Sequence, residues 1–344
     1  MRATISLMKT KLLLTLFLLI VSAPRLLGVG DPAFKPPTVA TFSIVAIDPA
    51  NGDLGVAVAS RYFSVGAVVP WAMAGVGAVA TQANVNVGYG QQALDLLRQG
   101  MTAQQVLAKL LADDTFPGKD GRQVAIVDAK GNVAAYTGPK ASSWAGDRHG
   151  STWSAQGNIL VGPQVVEAAG RAFEDTKGEL AERLYAALKA GDDAGGDSRG
   201  RQSASILVVR KQGGRNINND RYVYINVDDN PQPLVELRRL LDLNLAYLYA
   251  GAADHLQDKG DLSGAVAAAR TAARYAPGIS YIRTTLGFLE YLSGDKEAAL
   301  RELRAAQAAE PDFKKQLQDI FARSPELKAL QDDKEFLDKL FPPP

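Results

Sequence analysis

The chain has 344 residues, 47% hydrophobic and 22% charged, with a net charge of +1, which suits a globular protein of about two domains. No basic stripe stands out, and Arg2, Lys9, Lys11 and Arg25 carry all the charge of residues 1–30, so the remainder is net acidic and a nucleic-acid partner is not expected. The absence of cysteine excludes disulfides, lipid attachment through sulfur and thiolate zinc sites.

Leu12–Ala23, LLLTLFLLIVSA, follows Lys9 and Lys11 and has the form of a signal-peptide core. Gly28 and Gly30 place small residues before a cleavage site at Asp31. Residues 1–30 therefore read as a signal, whether translation starts at Met1 or Met8. Export to a periplasm or the exterior is expected, with an uncleaved membrane anchor as the alternative. Residues 31–40, DPAFKPPTVA, are Pro-rich and read as a linker.

Residues 42–47 and 54–59 are apolar strands joined across Asn51-Gly52, a strong hairpin signal. Neither alternates cleanly between apolar and polar, so both are expected to be covered on two faces. Residues 65–70 and 76–82 read as further strands of the meander. Helical periodicity spans 91–97 and 103–111, with Thr102 as N-cap of the second. Residues 123–127 and 133–136 form another hairpin, followed by a loop rich in Gly, Ser and Trp. Helices are predicted over 165–173 and 180–190, with Gly191 as a stop, then a last hairpin from 203–210 and 222–227. Strands interrupted twice by helix pairs imply two stacked sheets between helical layers over residues 41–232, an α+β, four-layer αββα sandwich.

From Pro233 the pattern is helical, with Leu234, Leu237, Leu241, Leu245 and Leu248 on one face. Gly260-Asp261, Ala265 and Pro277 recur 34 residues later as Gly294-Asp295, Ala299 and Pro311. That is the tetratricopeptide period. Residues 233–344 thus read as a short helical repeat domain, with its last helices as a cap.

Several strings resemble catalytic motifs and fail their context. Gly196-Asp197-Ser198-Arg199-Gly200 matches a nucleophile elbow, but a helix precedes it, a strand follows, and His149 and His255 are the chain's only histidines. Gly75-x-Gly77-x-x-Ala80 opens no helix, so it is not a dinucleotide fingerprint. No metal-ligand cluster and no cofactor are indicated. Trp71, Trp144 and Trp153 fit core packing better than a pocket lining.

Three other features can carry chemistry. The loop 195–203 gathers Asp197, Arg199 and Arg201 with flexible glycines, as a substrate-orienting site or as a solvated turn with an internal ion pair. Gln82, Asn84 and Asn86, and Gln156 with Asn158, are amide patches that could serve as oxyanion donors or satisfy loop backbone. Thr41 opens the first strand. A threonine hydroxyl becomes a competent nucleophile when its own free α-amine serves as base, which requires removal of residues 1–40. Otherwise Thr41 is simply the first residue of a strand.

The segment Thr41–Gln82, then SAQGNILVG, GGDSRGRQSA and NDRYVYINVDDNPQPLVELRRLL, together resemble the domain-of-unknown-function 1028 family over roughly residues 41–241. The resemblance implies the N-terminal-nucleophile (Ntn) hydrolase fold, an αββα sandwich. It also implies Thr41 as nucleophile and, by analogy, amide hydrolysis. The chain departs from proteasome-type members of that superfamily, because Ala59 stands before Ser60-Arg61 where they carry an aspartate, and no lysine is evident between residues 64 and 82. Candidate site residues are therefore Thr41 as nucleophile, Asn86 or Gln82 as oxyanion donor, and Ser60, Arg61, Asn158, Asp197, Arg199 and Arg201 around the substrate. The expected activity is an exported amidohydrolase acting on a small amide or peptide-like substrate. The alternative is a non-catalytic ligand binder or envelope scaffold. Expected partners are a small molecule at the sandwich and a protein at residues 233–344, with a homodimer left open.

Overall fold

A computed structural model describes residues 41–342; the expected signal and Pro-rich linker lie outside the described residues. Among the described residues no helix is long and apolar enough to cross a membrane.

The Asn-Gly turn does what its sequence predicts. β1 (Thr41–Asp48) and β2 (Asp53–Ser60) pair antiparallel from Asp48↔Asp53 to Thr41↔Ser60, with Gly52 in the left-handed conformation. They lie inside a six-stranded sheet with β7 (Gly146–His149), β8 (Trp153–Asn158), β9 (Ser203–Val209) and β10 (Arg221–Val227), ordered β10-β9-β2-β1-β8-β7. The second sheet is four-stranded: β3 (Pro70–Met73), β4 (Gly77–Ala83), β5 (Arg122–Asp128) and β6 (Val133–Thr137), in chain order.

Alternation along each strand sorts residues into three layers. Phe42, Ile44, Ala57, Ile206 and Val208 face helices α3 (Gln164–Asp175) and α4 (Leu180–Asp193). Val45, Ile47, Val56, Val58, Ala78, Ala80, Ala125 and Val127 meet between the sheets. Val79, Val124 and Ile126 face α1 (Gly88–Arg98) and α2 (Ala103–Asp113), the latter held by the capping box Thr102–Gln105. The αββα sandwich is thus observed.

Three local expectations are corrected. Residues 65–67 form a 3-10 turn rather than a strand, and pairing starts at Pro70. The Gly/Ser/Trp-rich stretch contains two strands, β7 and β8, and β8 pairs with β1 inside the sheet. Helix α4 runs through Gly191 to Asp193, and the glycine lets the helix sit close to Phe42, whose ring would stand 3.0 Å from a Cβ there.

Close approach is also why residue 90 in α1 is glycine: a Cβ would overlap the Trp71 indole. Gly90→Ala is therefore expected to destabilise the protein by about 1–3 kcal/mol, read as a lower midpoint in chemical denaturation, despite alanine's better helix propensity. A neutral or stabilising result would mean that Trp71 moves aside at no cost.

Helix α5 (Pro233–Asp258) serves two cores. Its first half buries Leu234, Leu237, Leu241 and Leu245 beside Leu184, Ile206 and Val223. Its second half packs Ala246, Ala250 and Ala253 on α6 (Leu262–Tyr275) and α7 (Ser280–Leu292). The 34-residue repeat is visible as matched helix starts. Asp261 caps α6 and Asp295 caps α8 (Lys296–Ala309), each preceded by a left-handed glycine, Gly260 and Gly294. The helices α9 (Phe313–Phe321), α10 (Lys328–Asp332) and α11 (Lys334–Leu340) close the last cluster through Phe313, Leu317, Leu330 and Phe336.

Candidate functional site

The layer between the sheets changes character along its length. At the hairpin end it is apolar. At the end where β1 begins, the inward positions are Thr41 and Ser43 on β1, Ser60 on β2, Gln82 on β4, Gln123 on β5, Gln156 and Asn158 on β8 and Ser203 on β9, all at most 3% exposed. Burying that many polar groups is costly unless they bond one another.

Six of them bond one another, while Gln156 and Ser203 donate to the backbone carbonyls of Ala80 and Tyr62. Thr41 Oγ1 donates to Ser60 Oγ at 3.1 Å, and Ser43 Oγ donates to Gln82 Oε1 at 2.7 Å. Gln82 Nε2 donates to the Thr41 carbonyl at 3.3 Å and to Gln123 Oε1 at 2.9 Å. Asn158, opposite Thr41 in register, donates to the same Gln123 oxygen at 3.1 Å, while Gln123 Nε2 reaches the Gly157 carbonyl at 2.8 Å. Gln123 thus ties both sheets together beneath Thr41. Every one of these groups is an amide or a hydroxyl, so the surroundings of Thr41 are polar without being charged.

The backbone is strained here. Ala83 directly follows Gln82, and Ile159 directly follows Asn158. Both are left-handed, at φ 64° and 54°. A β-branched residue seldom adopts that region, which costs about 1–2 kcal/mol. Such strain persists where neighbouring structure over-determines it, often at functional sites.

Asp197 closes the rim. Its carboxylate is buried, accepts from Arg61 N at 3.0 Å, and pairs with Arg199 at 2.8 Å. The Arg61 guanidinium donates to the Arg199 carbonyl at 3.3 Å, and Gln202 N donates to the Ser60 carbonyl at 3.0 Å. The loop is thereby fastened to the end of β2 beside Thr41.

Most sequence candidates therefore converge, with two reassignments. Arg201 was expected beside Asp197; instead it pairs with Asp192 at 2.7 Å, because left-handed Gly200 turns the chain between Arg199 and Arg201. Asn86 stands outside the hydrogen-bonded cluster. Its Oδ1 caps Gly88 N at the start of α1, and its carbonyl accepts from Thr81, which lies on the helix-covered face of β4. Gln82 is in the cluster, but its donors already serve Thr41 O and Gln123. Gln123 and Ser43 were not anticipated. Their signal was a polar residue at an inward position of an otherwise apolar strand. Among the described residues no group of three or more His, Cys, Asp or Glu side chains could hold a metal.

Residues 41–237 match DUF1028, a family of unknown function. The chain belongs to that family. A crystal structure of a DUF1028 protein from Silicibacter pomeroyi is similar at 30% identity and a TM-score of 0.53, covering 59% of this chain and 88% of that one. No curated protein matches the chain. The DUF1028 match begins at Thr41 and ends within α5, so it takes in Leu234 and Leu237, the first two of the helix's core leucines.

Proposed function

We propose that this DUF1028 protein is an Ntn-type amide hydrolase with Thr41 as nucleophile. The observation that carries the reading is the setting of Thr41. It heads an internal strand at the polar end of the layer between two sheets, its hydroxyl on Ser60, where the family match itself begins.

The chemistry needs the Thr41 nitrogen as a free amine, whose ordinary pKa is about 8. That amine accepts the hydroxyl proton as Oγ1 attacks the substrate carbonyl. The leaving amine departs with a proton and leaves an ester on Thr41, which water then cleaves to a carboxylate. Asn158, across the strand pair, is the amide best placed in register to face the developing oxyanion. Ser60 holds the hydroxyl, and Asp197 with Arg61 and Arg199 shapes the rim. The protein acts after export, and its 34-residue helical repeats offer a surface for a protein partner.

A ligand-binding role without turnover is the second reading. It follows from one feature of the chain: the Thr41 nitrogen is in a peptide bond with Ala40, and an amide nitrogen is no base. Intact mass and N-terminal sequencing of the protein from its native compartment separate the two. A chain beginning at Thr41 supports the hydrolase. A mature chain beginning near Asp31, with the Ala40–Thr41 bond intact, removes the catalytic base and leaves the binder.

A further inference from the structure

A cavity of about 930 Å³ lies away from Thr41. It lies where the β9–β10 loop meets α5 and the start of α7. Arg210, beside this cavity, pairs with Asp53 at the hairpin end of β2, whereas Thr41 is at the other end of β1. Seven residue-to-residue steps along β1 separate those ends, roughly 23 Å.

The floor of this cavity is a closed polar network. Arg210 meets Asp53 at 2.6 Å and Glu179 at 3.2 Å, and lies over the Tyr222 ring at 3.8 Å. Glu179 also accepts from the Tyr222 and Tyr249 hydroxyls, at 3.1 and 2.6 Å. Arg210 is thus shared between two carboxylates, so the floor keeps a formal charge of −1, and each of these groups is held in place by its partners. The mouth differs. Arg215 and Asp254 both line the cavity, and among the described residues neither makes an ion pair. Arg215 stacks on Tyr247, and Tyr281, 53% exposed, forms part of the lining beside Asp254. Partial burial and the neighbouring Asp258 raise the Asp254 carboxyl above its ordinary range, as expected of an anion that lacks a cation. The loop bearing Arg215 is braced by Asn219 Nδ2 on the Arg215 carbonyl and by Gln212 N on Asp220, so the mouth is preformed.

A lone cation and a lone anion at one aromatic-walled opening match a ligand with both charges. A polyanion would meet only one uncommitted arginine, and a purely cationic ligand would leave that arginine unmatched. We infer that this cavity binds a short zwitterionic peptide, with its ammonium on Asp254, its carboxylate on Arg215 and its body against Tyr247 and Tyr281. The site is separate from the proposed hydrolytic centre and does not depend on it.

Calorimetric titration of the full chain with glycyl-L-tyrosine tests this, alongside the N-acetylated and C-amidated forms. The dipeptide is expected to bind saturably. Blocking either end should weaken it about tenfold, the range of a charge-assisted hydrogen bond. Asp254→Asn should weaken the dipeptide equally and abolish the effect of acetylation; Arg215→Gln should do the same for amidation. Both side chains are exposed, so both variants should keep the parent melting temperature. No saturable heat at millimolar peptide, or binding indifferent to the blocked ends or to both substitutions, overturns the assignment.

Discussion

Replacing Thr41 by alanine is expected to reduce amide hydrolysis by about 10⁴-fold or more, as removal of a catalytic nucleophile does elsewhere. The comparison is made on chains produced with residue 41 as the first residue. The fold should survive, because the variant loses one buried hydroxyl bonded to Ser60 and one methyl. Those are worth about 1–2 kcal/mol together. Thr41→Ser keeps the hydroxyl and the amine and should retain most activity. The wild-type rate should rise with pH through about 8, because only the neutral α-amine can take the proton. The same chain with residue 40 still attached should be inactive at every pH. Hydrolysis by Thr41→Ala at the parental rate would remove Thr41 from the chemistry and leave its burial as a matter of packing.

The second large effect concerns stability. Asp114 and Arg122 form an ion pair at 2.9 Å with both side chains almost wholly buried. Arg122 also donates to the carbonyls of Asn84 at 2.7 Å and Pro117 at 3.2 Å, and Asp114 accepts from the Tyr89 hydroxyl at 2.7 Å. Asp114→Ala strands a buried guanidinium and is expected to cost about 3–5 kcal/mol. At 2–4 °C per kcal/mol that is a fall in melting temperature of roughly 10 °C, which differential scanning calorimetry would read directly. A loss below about 1 kcal/mol would mean that water replaces the carboxylate.

The pair also sets an acid limit. Burial alone would raise the Asp114 pKa, but hydrogen bonds from Tyr89 and Arg122 outweigh it and hold the carboxyl below its ordinary range. A depressed folded pKa gives stability that is full above the unfolded pKa and is lost as pH falls through the folded value. Asp114→Asn should therefore flatten the acid limb of the stability profile. The consequence reaches the candidate site, since Arg122 precedes Gln123 and secures the backbone two residues beyond Gln82. Asp114 variants should lose activity in step with lost order at those glutamines.

Local signals in the sequence determined much of this molecule. The Asn51-Gly52 turn, the capping box at Thr102 and the 34-residue recurrence of Gly-Asp each act within a few residues of chain, so their outcome does not wait on distant contacts. The identity of Thr41 as the head of a doubly covered strand was legible for the same reason. The tertiary structure alone decided what surrounds it. β8, WSAQGN, alternates polar residues toward the intersheet layer and reads locally as a loop. It becomes a buried strand because Asn158 pairs with Thr41 and its amides meet the Ala80 carbonyl and Gln123, from strands far away in sequence. Asn86 and Arg201 show the converse: residues close in sequence to the site were drawn to a helix start and to Asp192 instead. Composition and periodicity report whether a residue prefers water, and a polar cluster inside a sandwich reverses that preference only when all its partners arrive together.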